Sequence, residues 1–225
     1  MKTKKDIFLK TLFFMILVKI SSMCKFSFIF GSKLAFLSGS AAMMPLSGAF
    51  GGGLVSVVIF VFSLVMRYII FGFSSLHVLA FHVPGLFSAF YFSHKNIFFR
   101  LIIPVLCMLL FIAHPTGLQA FVYALPWLVP IVVYFIRSKN VFLDALASTL
   151  IAHAVGSVIW IYTVDMSAHA YYSLMPVVLF ERLTIACGIF VLYKVFDYLK
   201  QISFEDIKLL TLKPVAKYLN ARIAK

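Results

Sequence analysis

Apolar residues in this chain fall into long runs separated by short polar breaks. Leu101–Ala113 is continuous and ends at His114-Pro115-Thr116-Gly117, a turn signal. Leu118–Ile136 follows, and Pro126 and Pro130 within it predict a kinked helix. Val141–Val164 is the longest uninterrupted candidate, and Tyr172–Phe196 closes the set. Upstream, Leu76–Phe92 is shorter and broken by His82 and Pro84. Before it, Leu34–Ile70 is interrupted by Pro45 and Gly51-Gly52-Gly53. It is too long for one straight crossing, so it forms one tilted, kinked helix or two short ones meeting near Pro45–Gly53. Runs of about 20 apolar residues match a hydrocarbon core about 30 Å thick. The pattern predicts an all-α, polytopic transmembrane helical bundle.

Composition removes the alternatives. The chain of 225 residues is 63% hydrophobic and 12% charged, against about 45–50% and about 25% in soluble domains. Disorder is excluded, because so apolar a chain collapses. The formal net charge of +13 reads as topology rather than nucleic-acid binding, since Lys and Arg collect in cytoplasmic loops. The tail from Leu199 holds Lys200, Lys208, Lys213, Lys217, Arg222 and Lys225 against Glu205 and Asp206, which places it inside. Working backwards, Asp165–Tyr171 falls outside, Arg137 and Lys139 inside, His114–Gly117 outside, and Lys95 with Arg100 inside. A single crossing by Leu34–Ile70 gives six spans and strands only Arg67 outside. Two crossings give eight spans and also place Lys25 and Lys33 outside. Charge favours six and segment length favours eight; six is the expectation, and both arrangements leave the termini cytoplasmic at the cell (inner) membrane.

Three regions result. Residues 1–33 form a basic N-terminal segment whose Ile7–Ser22 is an interfacial or accessory helix. It begins like a signal peptide, but Lys10 and Lys19 interrupt it and no A-x-A-like site follows, so it reads as retained. Residues 34–198 are the bundle. Residues 199–225 are a basic amphipathic tail suited to an anionic lipid surface, with Ser203-Phe204-Glu205-Asp206 resembling a helix start. Cys24, Cys107 and Cys187 are scattered without CxxC spacing and read as small hydrophobes.

Acidic groups are few enough to weigh singly. Asp144 opens a helix, where a carboxylate suits the N-terminal dipole. Glu181 stands apart: it lies about nine residues, or roughly 13 Å, into the last span, where an unpaired carboxylate costs several kcal/mol. Arg182 is adjacent, but helix neighbours point about 100° apart and need not pair with each other. His153 lies at about 16 Å depth on the preceding helix. Thr149, Gly156, Ser157 and Trp160 share its face, a polar groove beside an indole suited to a planar or zwitterionic ligand. Glu181, His153, Trp160, Arg182 and Ser157 are therefore the candidate ligand-binding residues. Such a set also serves simply to fix helix packing. His82 and His114 read as interfacial turn residues.

Enzyme signatures fail. There is no HExxH, no GxxxxGK[ST], and no paired acidic cluster. Ser38-Gly39-Ser40 and Ser47-Gly48 lack the GxSxG setting of a nucleophile. No catalytic residue, metal site or cofactor is expected, and ATP-driven transport would draw on another subunit.

Met44-Pro45-Leu46-Ser47-Gly48-Ala49-Phe50-Gly51-Gly52 resembles a Gly/Pro-rich segment joining early helices in substrate-binding S components of energy-coupling factor vitamin transporters. There a Gly often precedes the Pro, where this chain has Met44. Leu174-Met175-Pro176-Val177-Val178, with Glu181 beyond, is similar to the last span of that family. About a quarter of the chain is covered. The resemblance implies a subunit of about six spans that captures a vitamin-like molecule outside and docks on a transmembrane coupling subunit with two ATPases. The family's small-residue docking face has no clear equivalent, with Ser38, Gly39, Ala41 and Ala42 as a substitute.

The expected function is a transporter subunit or permease for a small solute, with membrane lipids around it and no nucleic-acid partner. The alternative is a structural or assembly protein of the inner membrane. An intramembrane hydrolase is a third class without motif support.

Overall fold

A computed structural model describes residues 4–26, 37–72, 77–137 and 139–201, almost all helical. The helices are α1 (Lys4–Met23), α2 (Ser40–Leu46), α3 (Gly53–Phe71), α4 (His77–Ser93), α5 (Ile103–Ala113), α6 (Pro115–Gln119), α7 (Leu128–Phe135), α8 (Val141–Thr163) and α9 (Ala168–Gln201). A two-residue antiparallel bridge pairs Lys25–Phe26 with Leu37–Ser38. Two compact units divide the chain, Met1–Phe190 and Val191–Lys225. In the second, the described residues 191–201 are helical, with Gln201 Nε2 donating to Asp197 Oδ2 over 3.4 Å. The amphipathic reading of Ser203–Lys225 lies outside the described residues.

Among the described residues, three helices are long and apolar enough to cross a membrane: Gly53–Ile70, Val141–Thr163 and Ala168–Gln201. Their surfaces agree with a lipid solvent. On α3, Val55 and Ile59 turn inward, while Leu54, Val58, Val61, Phe62, Val65 and Ile69 are exposed. In water such a continuous apolar face would drive association; in hydrocarbon it is the favourable surface.

Of the run Leu34–Ile70, the described part from Leu37 onward resolves into two segments, and the break is sharper than a kink. After α2, residues Ser47–Gly51 wind as a π-helical turn, and Gly52 adopts φ 95°, a conformation that favours glycine. Ser47 and Ser56 then share a hydroxyl hydrogen bond of 3.0 Å. Nine residues of continuous helix would set them about 13 Å apart, so the chain folds back at Gly52. Packing there needs a missing side chain: a Cβ on Gly48 would overlap the backbone of Ala89 on α4.

Elsewhere proline acts differently from expectation. The described part of Leu76–Phe92 is not broken, because α4 (His77–Ser93) runs through His82 and Pro84. Pro84 removes one helical donor, and neighbouring helices support the segment. Pro126 does disrupt its run, whereas Pro130 sits in the first turn of α7, where no helical donor is lost. Phe121–Trp127 tightens into a 3-10 helix before α7 begins. This winding turns Tyr123, Ala124 and Trp127 inward.

α8 is the hub. Its apolar stretch is 56% buried, against 17% in α3 and in α9. Asn140 caps it, its Oδ1 accepting from Phe142 N at 2.8 Å. Small residues Ala145, Ala147, Ser148 and Ala154 are buried along it and let α4 approach closely. The core joins Phe111, Tyr123, Trp127, Ile151, Ile161 and Tyr171.

Candidate functional site

α8 and α9 run antiparallel. Phe142 meets Phe190 with ring centroids 6.1 Å apart, and Thr149 Oγ1 donates to the Arg182 carbonyl over 3.5 Å. Seven residues along one helix thus match eight along the other. This register sets Glu181 and Arg182 about one turn from the level of His153, close to the depth match read from the sequence.

Glu181 and Arg182 pair with each other, Arg182 Nη2 lying 3.5 Å from Glu181 Oε2. Long side chains bridge the angular separation that argued against the pair. Glu181 is 8% exposed. Arg182 is also within electrostatic range of His153 and Tyr123. His153 packs edge-on to Tyr123 at 5.3 Å and to Trp127 at 6.0 Å. Ser157 is buried, and the Tyr123 hydroxyl faces it. Trp160 lies a turn farther along α8 and half-buried; the indole against His153 is Trp127.

Aromatic rings close the cluster. Phe111 stacks on Tyr123 at 5.8 Å and meets Trp127 at 5.2 Å and Tyr171 at 5.4 Å edge-on. Tyr123 and Tyr171 are 5.0 Å apart. Such pairs each add about 0.5–1.5 kcal/mol beyond area burial. Three donors in this cluster are buried without a hydrogen-bond partner: Trp127 Nε1, Tyr171 Oη and Arg182 Nε. Buried donors are nearly always satisfied, and leaving one unmet costs about 1–3 kcal/mol. All three ask for an acceptor, while Glu181 supplies the negative charge.

A second polar cluster escaped the sequence reading. Arg100 Nη2 lies 3.2 Å from Asp144 Oδ1, and the Arg100 guanidinium stands 4.4 Å above the Tyr91 ring. Arg100 and Asp144 are 7% and 6% exposed, and Tyr91 is fully buried. The group ties the end of α4, the π-helical turn Phe98–Ile102 before α5, and the first turn of α8. Asp144 is therefore an ion-pair partner as well as a dipole partner. Arg100, read as a loop charge, is interior.

A separate cleft of about 320 Å³ opens at the C-terminal end of α8, lined by His114, Thr116, Tyr162, Asp165 and Met166 among others. His114 caps α6, its Nδ1 accepting from Thr116 N at 3.3 Å. Among the described residues no group of three or more metal-ligating side chains occurs. Compared with known proteins, the chain matches no family model, no curated protein and no solved structure.

Proposed function

We propose that this chain is a multi-pass membrane transport subunit that captures a small, planar, acceptor-rich solute from the outer side. In this reading α3, α4, α5, α6–α7, α8 and α9 supply six crossings, with both termini cytoplasmic. α1, whose apolar run is interrupted by Lys10 and Lys19, and α2, which with its π-helical turn spans 7 and 5 residues and under about 18 Å of rise, pack against α3 and α4 without crossing. The resemblance to energy-coupling factor S components extends the proposal to a coupling subunit and ATPases as partners. The observation that carries the reading is the trio of unpartnered donors, Trp127 Nε1, Tyr171 Oη and Arg182 Nε, gathered with Glu181 and His153 inside an apolar bundle. Carboxylate or carbonyl oxygens of a solute satisfy those donors, and Tyr123 and Trp127 offer ring faces.

Native mass spectrometry of the purified protein tests this by a co-purified small molecule. Binding of that molecule falls about tenfold or more in Glu181→Gln, the scale of one charge-assisted hydrogen bond. Unchanged affinity removes Glu181 from the site. Recovery of unrelated membrane complexes, with no solute and no ATPase, replaces the proposal with an assembly role.

A further inference from the structure

The cleft at the end of α8 has a built polar lining that the buried cluster does not use. His114 is fixed on two sides. Its Nδ1 accepts the Thr116 N–H, and its ring packs edge-on to Tyr162 at 5.2 Å. Tyr162 is held in turn, its hydroxyl donating to the Leu110 carbonyl at 2.8 Å. Because Nδ1 is an acceptor, the ring proton of the neutral imidazole sits on Nε2. His114 therefore offers a hydrogen-bond donor and no second lone pair, which disfavours metal ligation and favours an anionic or carbonyl oxygen. Asp165, on the same lining, is exposed and supplies the opposite character.

The size and position of the cleft narrow the occupant. A volume of about 320 Å³ stands at the small end of the roughly 300–1,000 Å³ typical of ligand pockets, so it suits a metabolite of amino-acid size rather than a nucleotide. Its wall also borders the buried cluster. Ile161 lines the cleft and belongs to the same core as Tyr123, Trp127 and Tyr171, and Met166 lines the cleft and packs on that core. Two sites, each pairing a carboxylate with a donor, thus share one apolar partition: Asp165 with His114, and Glu181 with Arg182.

We propose that this cleft is a first docking site for a zwitterionic solute of amino-acid size, its ammonium on Asp165 and its carboxylate on His114 Nε2, before passage beneath Ile161. The proposal rests on the transport reading and names its substrate class. The ammonium then exchanges Asp165 for Glu181, and the carboxylate exchanges His114 for the Arg182, Trp127 and Tyr171 donors.

Equilibrium dialysis of the full chain in lipid nanodiscs, with labelled L-phenylalanine, phenethylamine and phenylacetate, tests the charge requirement. L-Phenylalanine is expected to bind at least about tenfold more tightly than either single-charge analogue. Asp165→Asn, at an exposed position, lowers affinity for L-phenylalanine and phenethylamine about tenfold and does not weaken phenylacetate, whose carboxylate it no longer repels. Equal binding of the three probes, or an unchanged Asp165→Asn, overturns the docking site. Loss in Glu181→Gln but not in Asp165→Asn overturns the cleft while keeping the buried site, and the reverse pattern keeps the cleft and removes the buried site. No saturable binding of any probe overturns the zwitterion class, leaving the transport reading to the co-purified solute.

Discussion

Replacing Asp144 by Asn leaves the Arg100 guanidinium buried with no counter-charge. The two groups touch at 3.2 Å and their side chains are 9% and 8% exposed, so solvent does little to screen the loss. Removing one partner of a buried pair costs about 3–5 kcal/mol. Tyr91 retains Arg100 through a cation–π contact at 4.4 Å, worth about 2 kcal/mol when desolvated, which draws the expected cost to the lower end, about 3 kcal/mol. Against a total stability of about 5–15 kcal/mol, that is a large fraction. The double variant Arg100→Met, Asp144→Leu removes both charges and returns stability to within about 1–2 kcal/mol of the parent, because an apolar pair avoids desolvation altogether. Unfolding in SDS, followed through the fluorescence of the two tryptophans, Trp127 and Trp160, measures both values. A loss below about 1 kcal/mol in Asp144→Asn, or a double variant as damaged as the summed single ones, refutes the reasoning.

Two further outcomes follow from packing. Gly48→Ala places a Cβ against the Ala89 backbone, and it lowers stability by about 1–3 kcal/mol or displaces α2 from α4; the same SDS titration reports it. Cys24 is exposed and Cys107 is buried, so a maleimide reacts with Cys24 in the folded protein and with Cys107 only after unfolding, read by mass spectrometry.

Much of the fold is legible in the runs themselves. Val141–Val164 appears as Val141–Thr163, and Tyr172–Phe196 as part of Ala168–Gln201, because an apolar run in lipid has no option but to satisfy its backbone internally. Pro84 shows where this reading fails. A proline marks a boundary in an isolated helix, whereas tertiary neighbours carry α4 through it. At Gly52 the break was legible but its angle was not, since the reversal depends on Ser47 meeting Ser56.

The candidate site divides the same way. Glu181, Arg182, His153 and Ser157 stand out because ionisable and polar groups are rare in apolar spans. Tyr123, Trp127 and Tyr171 do not, because aromatic residues are common in this chain and only the 3-10 winding of Phe121–Trp127 turns two of them inward. Arg100 and Asp144 each had a sufficient local explanation, as a loop cation and a helix-start anion.

By itself, the sequence determined the solvent, the helices and the rarity of charge within them, since these follow from hydrophobic run length and local hydrogen bonding. Tertiary structure alone decided which charges meet, which rings enclose His153 and where the chain turns back. Those outcomes depend on register between helices distant in sequence, and an apolar run of uniform character carries no local record of register.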